Sequence, residues 1–555
     1  MKMKISEVKI HNFRGIYEQS IVLNPYTIFV GTNNSGKTTF IDAIRAFYEK
    51  DYKFSQQDLS LVHKDEKESW IEILFSLSHS EQEVLKAEYL LDNGTLKVRK
   101  FFATESADWK PNFVYAYTTD GSLSRSVFYG WKGVQQGKFG SVIYIPAVSK
   151  VEDHTKLTGA SALRDILMNL MTTVAKNSTA YSAFKESVET FADGIKSLKS
   201  NQENQLYNFE RDFTEKLQNW NTKFELNINP PTIETIVKNM VGFDLIDLNL
   251  NEQQDISAYG SGFQRHFIFS LLELSAKFEP VKETKKETFQ PEMTLILFEE
   301  PEAFLHPSQQ ESLAKSLEKM AAGENTQIIC TSHSPFLLSR KANAMFSLVK
   351  VQRRQGEVEY RQITNSVWDE IAQYNLDSTA EIGSSSRNEL RTEEMEAMRY
   401  FILFNPDRLN IFFAEHVLFV EGVSEIALIN KLICDGKLDI PCGCYILDSM
   451  GKFNMPKFMK LCKTLGIYHS VLYDKDSGRN NQDDWNQLII NTKNEFTFAT
   501  TELKHDLESF LELQSIPGNE KSFKPQILLH KYVQGEISEE RIAAFCDCIH
   551  GLVTR

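Results

Sequence analysis

The run Gly31-Thr32-Asn33-Asn34-Ser35-Gly36-Lys37-Thr38 constrains this chain more than any other feature. It follows the apolar segment Thr27-Ile28-Phe29-Val30 and precedes the helical pattern Phe40, Ile41, Ala43, Ile44, Phe47. A G-x-x-x-x-G-K-[ST] run between a strand and an amphipathic helix predicts a phosphate-binding loop. The glycines let the N–H groups around Asn33, Asn34, Ser35 and Gly36 turn toward phosphate oxygens at a helix N-terminus, with Thr38 and Thr39 just behind. Lys37 is expected on the outer phosphates of ATP, and the Thr38 hydroxyl on Mg²⁺.

Three later elements complete that chemistry. The buried strand Thr294–Phe298 runs into Glu299-Glu300. Glu299 is expected to orient the metal or its water, although Asp is commoner there, and Glu300 to polarise the attacking water. The apolar run Gln327–Cys330 delivers Thr331-Ser332-His333, so His333 ends a strand where it can sense a γ-phosphate. Finally, Gly260-Ser261-Gly262-Phe263-Gln264-Arg265 precedes an apolar helix and reads as a second phosphate-capping turn.

This set, in this order, resembles the ABC-type ATPases of the SMC, RecF and OLD families. The opening Ile10-His-Asn-Phe13-Arg14-Gly15 is similar to the strand-turn with which those proteins begin. The resemblance implies two nucleotides sandwiched in a homodimer, with Ser261, Gly262 and Gln264 acting on the partner's ATP. It also implies a D-loop at Glu302 and His306-Pro307, and a Q-loop glutamine for which Gln56 and Gln57 are candidates.

The 555 residues allow several domains. Residues 1–155 and 231–375 read as the two parts of the ATPase, with strands expected at 70–77, 95–102, 112–117 and 141–146. Residues 156–230 have almost no Gly or Pro and carry apolar residues at helical spacing, so a helical arm is expected there, closed by Asn229-Pro230-Pro231, and the resemblance implies that it serves dimerisation. A polar linker spans 376–408, and a second α/β unit spans 409–555. The chain has neither an 18-residue apolar run nor an N-terminal apolar leader, which predicts a cytoplasmic protein that does not span a membrane. Six of its seven cysteines follow residue 430, without zinc-module spacing, and read as reduced thiols.

The second unit carries carboxylates at strand ends. Val417–Val420 delivers Glu421-Gly422-Val423-Ser424-Glu425; Tyr445–Leu447 delivers Asp448 and the turn glycine Gly451; Ser470–Tyr473 delivers Asp474-Lys475-Asp476. This is a parallel layout, whose sheets bind ligands at the carboxyl ends of their strands. Clustered carboxylates repel and raise one another's pKa, and divalent cations relieve that cost. Oxygen-only ligands suit Mg²⁺ or Mn²⁺, and two such ions can cleave a phosphodiester.

This constellation resembles the TOPRIM domain of topoisomerases, primases and OLD nucleases. An ABC-type ATPase N-terminal to a Rossmann-like TOPRIM domain resembles the OLD family, of which Gabija nuclease subunits are defence-system members. The resemblance implies metal ligands at Glu421, Glu425, Asp474 and Asp476, with Glu508 as a further ligand and Asp506 as its alternative. It implies catalytic roles for Glu421 and Asp474, and a phosphate-supporting lysine at Lys524. Asp448 is either a ligand or structural.

The net charge of −14 argues against a sequence-blind DNA coat. Residues 401–555 hold 16 Lys and Arg against 21 Asp and Glu, and metal loading would bring the acidic centre near neutrality. Lys452, Lys457, Lys460, Lys463, Lys475 and Arg479 are candidate phosphate contacts, and nothing points to base readout. The resulting expectation is an ATP-regulated, metal-dependent DNA endonuclease of anti-phage defence, dimeric or tetrameric, with a helicase-like partner. The competing expectations are an ATP-driven DNA-sensing scaffold with an inactive TOPRIM domain, and a topoisomerase- or primase-like enzyme.

Overall fold

Buried Ile5, Val8 and Ile10 lie along β1 (Lys4–Phe13), the second strand of an antiparallel sheet, whose register shifts between Ile5 and Glu7. We describe a computed structural model, which covers the chain apart from residues 1, 50–51, 61, 64, 131–136, 148–154, 157–161, 200–204, 226–231, 249, 278–288, 339–341, 372–407, 477–481, 515–522 and 555. The sheet orders β2 (Ile16–Val22), β1, β4 (Ser69–Ser76), β5 (Thr95–Ala103), β6 (Val114–Tyr117) and β7 (Leu123–Val127). Between β2 and β4 come β3 (Tyr26–Val30) and helix α1 (Lys37–Tyr48), which buries Phe40, Ile41, Ala43, Ile44 and Phe47. Lys100 of β5, itself buried, donates to the carbonyls of Ala46, Phe47 and Glu49 and so closes the C-terminal end of α1. The short helix α2 (His79–Val84) and strand β8 (Ser141–Ile145) complete this part.

Residues 148–284 form a unit of their own, separate from the unit of 1–147 and 285–555. It contains helices α3 (Ala162–Asn177), α4 (Thr179–Lys199), α5 (Gln205–Lys216), α6 (Ile233–Met240) and α7 (Ser261–Lys277). A small hairpin, β9 (Leu245–Asp247) with β10 (Glu252–Gln254), lies between the last two helices in sequence. The Asn229-Pro230-Pro231 break and the 376–407 part of the linker lie outside the described residues.

The second sheet of the larger unit orders β14 (Glu357–Gln362), β13 (Leu348–Arg354), β3, β12 (Thr326–Ser332), β11 (Thr294–Glu299) and β8. All neighbours except the β13–β14 hairpin are parallel. Continuous apolar runs such as Leu295–Phe298 are what a strand buried on both faces needs. Helix α8 (Pro307–Ala321) follows β11. The core beneath α1 draws on both sheets, from Ile10, Ile71 and Val98 to Phe29, Leu297 and Val358.

The C-terminal portion is a parallel sheet in the order β16 (Cys444–Asp448), β15 (His416–Val420), β17 (Tyr468–Asp474), β18 (Thr497–Leu503). Around it lie α9 (Val423–Cys434), α10 (Met455–Leu465), α11 (Gln482–Asn491), α12 (Leu507–Phe510), α13 (Lys524–Val533) and α14 (Glu539–Val553). Leu418, Leu428, Leu472, Leu507, Leu528 and Phe545 make its core. The fold is thus α/β in the larger unit, a strand–loop–helix portion built on two sheets followed by a Rossmann-like domain.

Candidate nucleotide and metal sites

The phosphate loop sits on the β13–β14 hairpin. Gly36 is left-handed (φ 110°), and a Cβ there would stand 2.6 Å from a Val358 methyl. A Cβ on Gly31 would run into the Val351 carbonyl. The Tyr360 hydroxyl donates to the Gly36 carbonyl at 2.9 Å. Only glycine fits the loop this close to the hairpin.

Lys37 is buried and its ammonium donates to the carbonyls of Gly31 (3.1 Å) and Thr32 (2.8 Å). Burial pulls its pKa down to about 8, with Glu300 and Glu302 pulling back. Opposite it, Glu299 is buried at the end of β11, where Oε2 accepts from the Ala147 amide at 3.3 Å. Its Oε1 is buried without a hydrogen-bond partner, and so is the Ser35 hydroxyl. Burial raises the Glu299 pKa, against the Ala147 amide and the Thr38 hydroxyl. An orphaned carboxylate oxygen beside Thr38 and an orphaned hydroxyl in the loop fit a nucleotide–metal complex.

Glu300 is also left-handed (φ 43°) and faces His333 Nε2 at 3.4 Å. The His333 pKa is lowered by burial and by Lys37, against Glu300. Glu302 fixes the other side of this element: its Oε1 accepts from the His333 amide at 2.7 Å and the Ser332 hydroxyl at 2.8 Å. It therefore fixes the backbone at His333, a role that its expected place in the D-loop did not suggest. His306 is the N-cap of α8. Gln56 and Gln57 are both exposed in a 3-10 turn, whereas the neighbouring Asp58 is buried against Arg14 and Tyr52. Ser261, Gly262 and Gln264 form the first turn of α7, and Gln264 donates to the Tyr259 carbonyl at 2.8 Å.

The second centre lies at the carboxyl ends of β15, β17 and β18. Glu421 Oε1 accepts from the Asp474 amide at 2.7 Å, tying the two strand ends together. Glu425, in the first turn of α9, accepts from the Gly422 amide at 3.0 Å. Gly422 is extended (φ −162°), so the turn draws on its amide and needs no left-handed residue. Asp474 ends β17; Asp476 lies beyond it in left-handed geometry (φ 51°), its amide bonded to the His505 carbonyl at 3.0 Å. Asp476 therefore follows Asp474 through a left-handed turn beyond the strand end. Glu508 is buried in α12, paired at 2.8 Å with Lys524, the first residue of α13. Asp506 is the N-cap of α12, bonded to the Ser509 amide.

Electrostatics mark this cluster. Burial, together with neighbouring carboxylates, raises Glu421 to about 7, Glu425 to about 7 and Asp474 to about 8. For Lys524, burial works downward, but Glu508, Glu425 and Asp474 leave its pKa raised. Among the described residues no three acidic, His or Cys side chains stand ready-made around a metal position. The reason is visible in the contacts: Glu421 and Glu425 are turned onto amides, Glu508 onto Lys524, and Asp476 onto Lys452. Buried, mutually repelling oxygen donors still fit a hard divalent cation in kind.

Comparison with known proteins matches residues 3–120 and 122–338 to the AAA ATPase domain family, and residues 412–476 to the overcoming lysogenization defect protein-like TOPRIM domain. The Old nuclease of Escherichia phage P2 is 27% identical over 497 residues, 86% of this chain and 78% of that protein. The chain belongs to the AAA ATPase domain family and carries an OLD-like TOPRIM domain. Endonuclease GajA of Bacillus cereus strain VD045 is 24% identical over 85% of this chain and 75% of its own length. A solved SMC head domain from Thermotoga maritima aligns at 14% identity over 66% of this chain and 100% of that chain, with a TM-score of 0.32.

One expectation is corrected. Lys452 is not a surface phosphate contact: it is 1% exposed. Its ammonium donates to the Asp474 carbonyl at 2.7 Å and lies 3.3 Å from Asp476 Oδ2. Lys475 pairs with Glu502 at 3.2 Å. Asp448 accepts from the Met450 amide at 2.7 Å, capping the turn that ends in left-handed Gly451 (φ 99°). Arg479 lies outside the described residues. All seven cysteines are free thiols.

The hairpin that cradles the P-loop also touches the TOPRIM domain. Buried Lys350 of β13 donates to the carbonyls of Phe412 (2.7 Å) and Ala414 (2.9 Å), just before β15. Arg354 donates to the Gly466 carbonyl, and its guanidinium lies 4.4 Å from the Phe496 ring and 4.9 Å from the Tyr468 ring. Sequence spacing offers no signal for these contacts, since they join residues 62 to 142 positions apart.

Proposed function

We propose that this protein is an ATP-regulated, divalent-metal-dependent DNA endonuclease of anti-phage defence. The observation that carries the proposal is the convergence of Glu421, Glu425, Asp474, Asp476 and Glu508 with Lys524 at one strand-end rim. Mg²⁺ or Mn²⁺ held by these carboxylates would stabilise the attacking and leaving oxygens of a phosphodiester. Lys524, released from Glu508, would donate to a phosphate oxygen. Glu421 and Asp474 set the width of the rim, because the Asp474 amide anchors the Glu421 carboxylate. In the ATPase, Asn33 to Thr39 would wrap the phosphates, Thr38 and Glu299 would hold Mg²⁺, and Glu300 would orient water beside His333.

Regulation by ATP is supported by the β13–β14 hairpin, which contacts Gly31 and Gly36 and also contacts Gly466 and Phe496. Nucleotide that shifts the phosphate loop would press on the strand leading to Asp474. Assembly as a homodimer, or a tetramer built from it, is supported by exposed aromatics on the helical unit, notably Phe191 and Trp220. On that reading Ser261, Gly262 and Gln264 cap the partner's ATP. The helicase-like partner rests on family resemblance.

The test is cleavage of supercoiled plasmid in Mg²⁺ or Mn²⁺, with and without ATP, beside Glu421→Ala and Lys37→Ala. Nicking or linearisation that disappears in Glu421→Ala is the expected result. Cleavage unchanged in that variant, or religated topoisomers in place of cut DNA, would sink the proposal.

A further inference from the structure

An almost fully buried lysine inside an acidic centre calls for a physical reason. Lys452 follows the left-handed Gly451 turn, whose amide donates to the Glu421 backbone carbonyl at 2.7 Å. Its own ammonium reaches across to the end of β17 and bonds the Asp474 carbonyl at 2.7 Å and the Lys475 carbonyl at 3.5 Å. It stands 3.3 Å from the Asp476 carboxylate. The Gly451-Lys452 pair therefore touches both strand ends that carry the acidic rim. A side chain 1% exposed cannot reach a DNA phosphate from this position, so contact with substrate does not explain it. A buried charge is costly unless paired and hydrogen-bonded, and here the partners are the rim itself.

We propose that Lys452 is a positioning residue that serves as the internal counter-cation of the TOPRIM rim, holding Asp474 and Asp476 in place before a divalent cation arrives. The proposal rests on the reading that these carboxylates bind such a cation. Lys452 acts on the left-handed turn through two backbone carbonyls, and on the charge balance through Asp476. It also favours the ionised form of Glu421 against burial. With Lys524 it gives two ammonium groups against five carboxylates, so the rim keeps an excess of negative charge for a metal to meet.

The discriminating measurement is thermal unfolding of the full-length chain with and without Mn²⁺. The variants are Lys452→Met, Lys452→Met/Asp476→Asn and Glu421→Ala. Ligand binding to the folded state raises stability by mass action, so wild type is expected to gain a Mn²⁺-dependent Tm increment that Glu421→Ala loses. Lys452→Met is expected to lower the metal-free Tm while enlarging that increment by about twofold or more, because the metal now replaces the missing charge. Adding Asp476→Asn removes the unpaired carboxylate and is expected to return the metal-free Tm toward wild type. A protein that folds only in Mn²⁺ would be the strongest form of the same result. An unchanged Mn²⁺ increment in Lys452→Met would make the residue merely structural and overturn the proposal. So would failure of Lys452→Met to fold in either condition without rescue by Asp476→Asn. If wild type shows no increment dependent on Glu421, the metal reading itself fails, which the Glu421→Ala arm reports separately.

Discussion

Arg354 donates a hydrogen bond to the carbonyl of Gly466 at 2.6 Å, joining the hairpin under the phosphate loop to the turn that starts β17. Eight residues after Gly466 that strand ends in Asp474. Arg354→Ala is expected to leave ATP-independent cleavage close to wild type and to shrink the effect of ATP on cleavage about fivefold or more, in the range of allosteric couplings of about 1–3 kcal/mol. Cleavage rates with and without ATP, measured side by side, check this; an intact ATP effect would rule the contact out as a link.

Gly466 is left-handed (φ 66°), and a Cβ there would press on the Gln352 amide group. Gly466→Ala is expected to destabilise the chain by about 1–2 kcal/mol from backbone strain alone. Trimming the neighbour with Gln352→Ala should recover the steric part and leave the strain. Denaturant midpoints of the two single variants and the double variant separate these contributions.

For the nucleotide site, Lys37→Ala removes the one ammonium on the loop carbonyls. ATP hydrolysis is expected to fall at least about a hundredfold, the scale of losing one transition-state charge donor. Glu302→Gln should fall less, because an amide oxygen can still accept from the His333 N–H. Steady-state phosphate release measures both, and equal losses in the two variants would contradict the positioning role of Glu302.

The raised carboxyls set a pH dependence. Glu421 and Glu425 near 7 and Asp474 near 8 bind protons more tightly folded than unfolded, where carboxyls titrate near 4. Their contribution to stability is present below about pH 4 and is lost as pH rises through about 7 to 8. Metal-free protein should therefore unfold at lower temperature at pH 8.5 than at pH 6, and Mg²⁺ should flatten that slope. At neutral pH, metal binding should release protons, which appears in calorimetry as a heat that varies with buffer ionisation enthalpy.

Much of this was legible in the chain. The strand–loop–helix around Lys37 and the acids at 299–300, 421 and 474 follow periodic apolar segments, so local pattern alone places them at strand ends, with Glu425 one helical turn beyond Glu421. What the pattern could not give was partners. Lys452 stands in sequence among several candidate phosphate contacts, because spacing records periodicity and says nothing of a turn that points a side chain inward. Asp476 needed left-handed geometry that a non-glycine residue does not announce. Glu302 meets His333 through its backbone amide, and hydrogen bonds to backbone leave no mark in sequence.

Lys350 sets a limit on how this protein can be divided. Its ammonium is satisfied by the Phe412 and Ala414 carbonyls, which lie beyond the interdomain stretch. A gene truncated after residue 371 would leave that charge buried or drag it into water beside the P-loop strand. The isolated C-terminal domain, in turn, would expose Tyr468 and Phe496, which Arg354 now covers. Engineering the nuclease as a portable module therefore requires carrying the β13–β14 hairpin with it, or replacing Lys350 and Arg354 along the cut.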